Sequence, residues 1–153
     1  RQDRRRRGRG LAAPGVVAAG DIARYPSARF GRTLRVEHWE TAIAGGEAAA
    51  RRLLAEASGE TPAVFDPIPW FWSDQYELKL QMVGFSADGE ESVVRGDKST
   101  NKFAVFHLKE GRVVAVDAVN NSKAFMLGKR LYGKSVDAKL LADESVELKA
   151  FLK

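Results

Sequence analysis

Eight consecutive residues, Pro69-Trp70-Phe71-Trp72-Ser73-Asp74-Gln75-Tyr76, hold two of the three tryptophans and two further aromatics beside a carboxylate and an amide. Large aromatic side chains are costly to leave in water, so such a cluster either closes a core or walls a flat, aromatic ligand. Core closure is the commoner use. A second stretch, Gly15-Val16-Val17-Ala18-Ala19-Gly20-Asp21, ends a run of small residues on a carboxylate that could accept hydrogen bonds from ligand hydroxyls. Asp21 would serve equally as a turn or helix cap. The helix expected to begin near Glu37 would add free backbone N–H groups with positive partial charge, suited to an electron-rich oxygen.

Other chemistries find little footing. His38 and His107 are the only histidines and cysteine is absent, so a metal centre, a thiol nucleophile and a disulfide have no basis. No Ser/His/Asp spacing stands out, which leaves hydrolase chemistry weakly supported. There is no G-x-G-x-x-G and no Walker loop, so the main phosphate cradle for any nucleotide cofactor is missing from these residues.

The elements that must position these groups follow from periodicity. Val16–Ala19 is a short strand candidate, and residues 22–34, with Tyr25-Pro26-Ser27 and Gly31, are expected to form a loop. Trp39, Ile43, Ala50, Leu53 and Leu54 recur at helical intervals and predict a helix over Glu37–Ala57. Glu37 and Glu40 lie in its first turn and Arg51 and Arg52 nearer its end, as the macrodipole favours. Gly45-Gly46 weakens it by ~1 kcal/mol per glycine relative to alanine, a cost justified if something packs closely there. Ser58–Pro69 is a linker, with a domain boundary near Ala63. Beyond it Leu78, Leu80 and Met82 alternate up to Gly84, and Ser92–Arg95 is closed by Gly96-Asp97. Lys102–Leu108 and Arg112–Val119 flank Lys109-Glu110-Gly111, the clearest hairpin signal. Helices are expected over residues 121–133 and Val146–Leu152. Strands followed by helices indicate an α+β module.

A length of 153 residues with 44% hydrophobic content supports a real core, and no apolar run approaches the ~18 residues of a membrane span. The formal charge of +5 is that of an arm. Residues 1–10 carry Arg1, Arg4, Arg5, Arg6, Arg7 and Arg9 against Asp3, leaving 19 basic and 19 acidic groups elsewhere. Such an arm could touch nucleic acid or anionic lipid without specificity, although a solvated end is the commoner outcome. A basic N-terminus without an apolar segment shows no signal peptide, and the lack of cysteine fits a reducing, cytoplasmic setting.

Taken in order, Gly15–Asp21, Arg35-Val36-Glu37-His38-Trp39, Pro69–Gln75, Val119-Asn120 and Asp143-Glu144-Ser145-Val146 resemble the C-terminal third of the FAD-dependent ferredoxin and rubredoxin reductases. The resemblance covers about residues 14–153. Before it, the arginine-rich arm over 1–13 is expected to be disordered. The resemblance implies a strand-plus-helix remnant of an FAD-binding domain over 14–62 and a C-terminal interface domain over 63–153. That domain is expected to be an antiparallel sheet with helices on one side.

The resemblance further implies cofactor contacts. Asp21 would bind the ribityl–pyrophosphate part of FAD, and the backbone at Trp39 would aim a helix N-terminus at the flavin's pyrimidine edge. Trp72 would border the flavin where an iron–sulfur partner docks. In the complete parent, NAD(P)H gives a hydride to FAD, which passes single electrons to a ferredoxin-like protein. Arg51, Lys79, Lys129 and Lys149 are the candidate basic groups for an acidic partner, while Glu47 stands where a basic residue is usual. Residues 1–13 depart from the family's preceding segment. With the FAD and NAD motifs absent, the chain is expected to be catalytically incomplete by itself. A cofactor-free interaction or dimerisation module is the alternative, and apolar residues 15–19 would favour self-association.

Overall fold

The computed structural model describes residues 15–152, so the arginine-rich arm expected over 1–13 lies outside the described residues. The chain divides into two compact units between Pro69 and Trp70. Among the described residues no helix is long and apolar enough to cross a membrane.

In the first unit Val16–Ala19 has no regular secondary structure, which corrects the expected strand. A run of four apolar residues becomes a strand only where another strand takes up its N–H and C=O groups, and no described residue does so here. Gly20 adopts a left-handed φ of 80°, and the Ala23 N–H closes a turn on its carbonyl at 2.9 Å. The expected loop over 22–34 is instead a short hairpin, β1 (Tyr25–Ser27) antiparallel to β2 (Arg32–Leu34). Strands of three residues, one holding Pro26, carry no readable alternation. A distant carboxylate supports the turn: Asp66 accepts from the Ser27 hydroxyl and, at 2.9 Å, from the Arg29 N–H. The Phe30 N–H donates to the Ser27 Oγ at 3.1 Å.

Helix α1 runs from Trp39 to Ser58, close to the expected span, and ends on Gly59 in the left-handed conformation with its N–H on the Ala55 carbonyl. Only Glu40 occupies the first turn as an acid, and no basic residue lies in the last turn. Arg51 and Arg52 sit further upstream in i,i+4 pairs with Glu47 at 3.1 Å and Glu56 at 2.9 Å. A methyl group on Gly45 would stand 3.8 Å from Ala19 Cβ and 3.9 Å from Phe65 Cζ, so the 19–20 segment does pack against this point of the helix. Gly46 faces open space.

The second unit is an antiparallel sheet of five strands: β3 (Trp70–Gln75), β4 (Leu78–Gly84), β5 (Glu91–Asp97), β6 (Lys102–Lys109) and β7 (Arg112–Val119), ordered β3-β4-β7-β6-β5. Register places Val83, Val116, Phe106 and Val93 across one face. Helix α2 (Ser122–Leu131) covers that face, and Gly128 allows it close: a methyl there would lie 3.0 Å from both Val116 Cγ atoms. Asn121 caps α2 through Oδ1, which accepts the Ala124 N–H at 3.1 Å. Phe106, Leu131 and Leu141 are wholly buried between sheet and helices, each contributing roughly 1.5–3 kcal/mol. The fold is thus α+β, an antiparallel sheet with helices on one face.

Two helical expectations change. A five-residue helix α3 (Ala138–Ala142) intervenes, started by Asp137, whose carboxylate accepts from the Lys139 and Leu140 N–H groups. The helix expected over Val146–Leu152 is a 3₁₀ turn over Leu148–Leu152. Both segments are too short for periodicity to register.

Candidate functional site

The first unit gathers polar atoms at the start of α1. His38, the N-cap residue, is extended and makes no side-chain cap, and the helix opens with the Ala42 N–H on the His38 carbonyl at 3.0 Å. Thr41, in the first turn, is only 5% exposed, yet its hydroxyl has no hydrogen-bond partner. Nor does the buried Tyr25 hydroxyl. Burial pushes the Tyr25 phenol up from its ordinary pKa, reinforced by the Asp66 and Glu40 carboxylates. Backbone donors and the orphaned Thr41 hydroxyl at a helix N-terminus suit an electron-rich heteroatom.

Trp39 stands 67% exposed at this end of the helix. Asp21 is exposed on the turn that follows Gly20. That turn adjoins Gly45, whose added methyl would lie 4.0 Å from the Gly20 nitrogen. Gly45 is six residues into α1, roughly 9 Å along its axis from Trp39. An extended ligand could therefore meet a carboxylate and a helix N-terminus on one unit.

In the second unit β3 is an edge strand, paired only with β4 among the described residues. Alternation sends Trp70 and Trp72 to the helical face, where their rings stack at 5.5 Å and 27°. Trp70 also meets Phe125 of α2 at 6.1 Å, while Trp72 is 37% exposed. The aromatic cluster therefore does two jobs by position. Trp70 closes the sheet–helix seam, and Trp72 extends it to the surface.

The four docking candidates differ in their settings. Lys129 Nζ lies over the Trp70 ring at 4.3 Å from its centroid and over Phe125 at 5.6 Å, a cation–π placement that fixes it beside the tryptophans. Lys79 Nζ stands 3.9 Å from Asp74 at an open hollow lined by Asp74, Tyr76, Glu77, Lys79 and Asn120. Lys149 is exposed on the terminal 3₁₀ turn. Arg51, in the first unit, is engaged with Glu47.

Two constellations escaped the sequence. Arg95 of β5 is buried and donates to the carbonyls of Leu141 at 2.9 Å, Asp143 at 2.7 Å, Val146 at 2.8 Å and Glu144 at 3.4 Å. Ser92, His107 and Asp117 form a hydrogen-bonded chain across β5, β6 and β7. The available signal for the second was cross-strand register, which pairs Ser92 with His107.

Residues 70–152 match the family described as Reductase C-terminal. The ferredoxin reductase subunit of the 5,5'-dehydrodivanillate O-demethylase of Sphingobium sp. strain SYK-6 is 42% identical over 89% of this chain and 32% of its own length. Putidaredoxin reductase of Pseudomonas putida is 39% identical over 91% of this chain and 32% of its own. Among solved structures, the covalent putidaredoxin reductase–putidaredoxin complex gives a TM-score of 0.74 at 38% identity, covering 91% of this chain and 33% of that one. The ferredoxin reductase of the CYP199A2 system from Rhodopseudomonas palustris also gives 0.74, at 34% identity, covering 90% of this chain and 33% of that one. The chain spans about a third of the length of the relatives it matches. With its five-stranded sheet and covering helices over the matched residues, the chain belongs to the Reductase C-terminal family.

Proposed function

We propose that this chain is the C-terminal portion of a reductase that moves electrons from NAD(P)H through FAD to a ferredoxin-like iron–sulfur protein, and that it supplies one wall of the flavin site. The observation that carries this reading is the uncapped start of α1, with the buried Thr41 hydroxyl lacking a partner beside it. When bound, a flavin accepts a hydride and releases single electrons. This chain's own groups bind and orient. On the first unit, the α1 N-terminus favours negative charge at the pyrimidine edge and the Asp21 carboxylate accepts from ribityl hydroxyls. On the second unit, taken by itself, the exposed Trp72 indole faces the iron–sulfur partner. Arg51, Lys79, Lys129 and Lys149 steer an acidic partner, chiefly by raising its encounter rate. Without the phosphate cradle, the chain alone is catalytically incomplete.

Fluorescence titration of the purified chain with FAD tests this. Weak quenching of tryptophan emission is expected, lessened in Asp21→Asn, with a colourless protein after desalting. A desalted protein that stays yellow and oxidises NADH would overturn the incompleteness. Emission unchanged at millimolar FAD would remove the flavin wall.

Exposed Ile43 and Leu54 on α1 favour a second reading, self-association without cofactor. Sedimentation equilibrium separates the two: a dimer lost in Leu54→Glu supports it.

A further inference from the structure

On the sheet face opposite α2, Ser92, His107 and Asp117 lie on three neighbouring strands. Register sets Ser92 directly opposite His107, while Asp117 faces Val105, one diagonal step from the histidine. The side chains complete the line, with Ser92 Oγ 3.0 Å from His107 Nδ1 and His107 Nε2 2.8 Å from Asp117 Oδ2. The histidine side chain is 13% exposed and that of Asp117 26%, whereas Ser92 is exposed. The carboxylate holds the proton of neutral imidazole on Nε2, which turns the Nδ1 lone pair toward the serine hydroxyl. Nucleophile, base and orienting carboxylate are thus held in sequence on rigid strands. The imidazole is turned end for end relative to the serine-protease arrangement, but the proton path is the same.

We propose that Ser92 is an activated nucleophile that accepts acyl groups from small activated esters, with His107 as its general base and Asp117 as a positioning residue. Ser92 Oγ attacks the carbonyl carbon while its proton passes to Nδ1. The bond from acyl carbon to leaving oxygen breaks, and the leaving group takes that proton, giving acyl-serine and an alcohol. Water repeats the sequence on the acyl-serine, releasing the carboxylic acid and restoring the hydroxyl.

Incubating the full chain with p-nitrophenyl acetate, followed by peptide mass mapping, tests the assignment. The expected result is acetylation of Ser92 with release of nitrophenolate. Ser92→Ala, at an exposed position, should remove the adduct. His107→Gln should slow labelling by about 10²-fold or more, and Asp117→Asn should slow it while Asp117→Glu restores part of the rate. Labelling confined to lysines, or an unchanged rate in His107→Gln, would each overturn the proposal.

Discussion

Helices α1 and α2 belong to different units and use glycine in opposite ways. Gly128 of α2 is jammed against Val116, so the glycine is there for lack of room. Gly46 of α1 faces nothing, and along that helix only Thr41 and Ala55 are buried. The second unit covers its helices with its own sheet, while the first leaves Ile43, Leu53, Leu54 and Trp39 in contact with solvent. One unit carries its own core, and the other presents a helix whose apolar side chains its own residues do not cover.

Mutations should separate the units. The largest effect is expected from Arg95→Ala, which strips a charged donor from four carbonyls and should cost about 3–5 kcal/mol in urea unfolding. Hydrogen exchange should show residues 141–146 opening first. Gly128→Ala should destabilise by about 1–3 kcal/mol despite alanine's better helix propensity, because Val116 is fully buried and has nowhere to move. Gly46→Ala, the smallest change, should stabilise by about 0.5–1 kcal/mol, measured as a raised Tm. Equal effects at the two glycines would erase the distinction between the units.

Acid sharpens it. Burial alone would raise the Asp66 carboxyl, but the Ser27 hydroxyl and the Arg29 N–H outweigh it and hold the group below the usual carboxylate range. A lowered folded-state pKa stabilises above the unfolded value of about 3.9, and that stability is lost as pH falls through the folded value. Ser27→Ala should therefore move acid unfolding of the first unit to higher pH, followed by circular dichroism. Asp97 and Asp143 are held low by the hydroxyls and N–H groups of Ser99 and Ser145, with the same sign in the second unit. They should be indifferent to Ser27→Ala.

Where elements were long and alternating, residue order alone located them. The β4 stretch stops at Gly84 as expected, and the β6–β7 hairpin turns at Glu110-Gly111, where both residues have positive φ. Helix α1 was placed within two residues at its start. Failures fell on short segments held by distant partners. The β1–β2 hairpin depends on Asp66, and α3 lies in the segment tied to β5 through Arg95. The Ser92–His107–Asp117 chain was illegible for a related reason, since pairing across strands places residues 15 and 10 positions apart side by side. For Asp21 and Trp39, sequence suggested the chemical type. The packing of Gly45 on Ala19 and Gly20 supplied the local geometry.

The Arg95 clasp also bears on biosynthesis. Its guanidinium emerges from the ribosome with β5, but the last carbonyl that receives it belongs to Val146, some fifty residues later. At roughly 5–20 residues per second, the cation waits several seconds for its acceptors. During that interval the nascent sheet holds a solvated arginine on the face its helices must cover, so final closure of the module is timed by delivery of the closing segment.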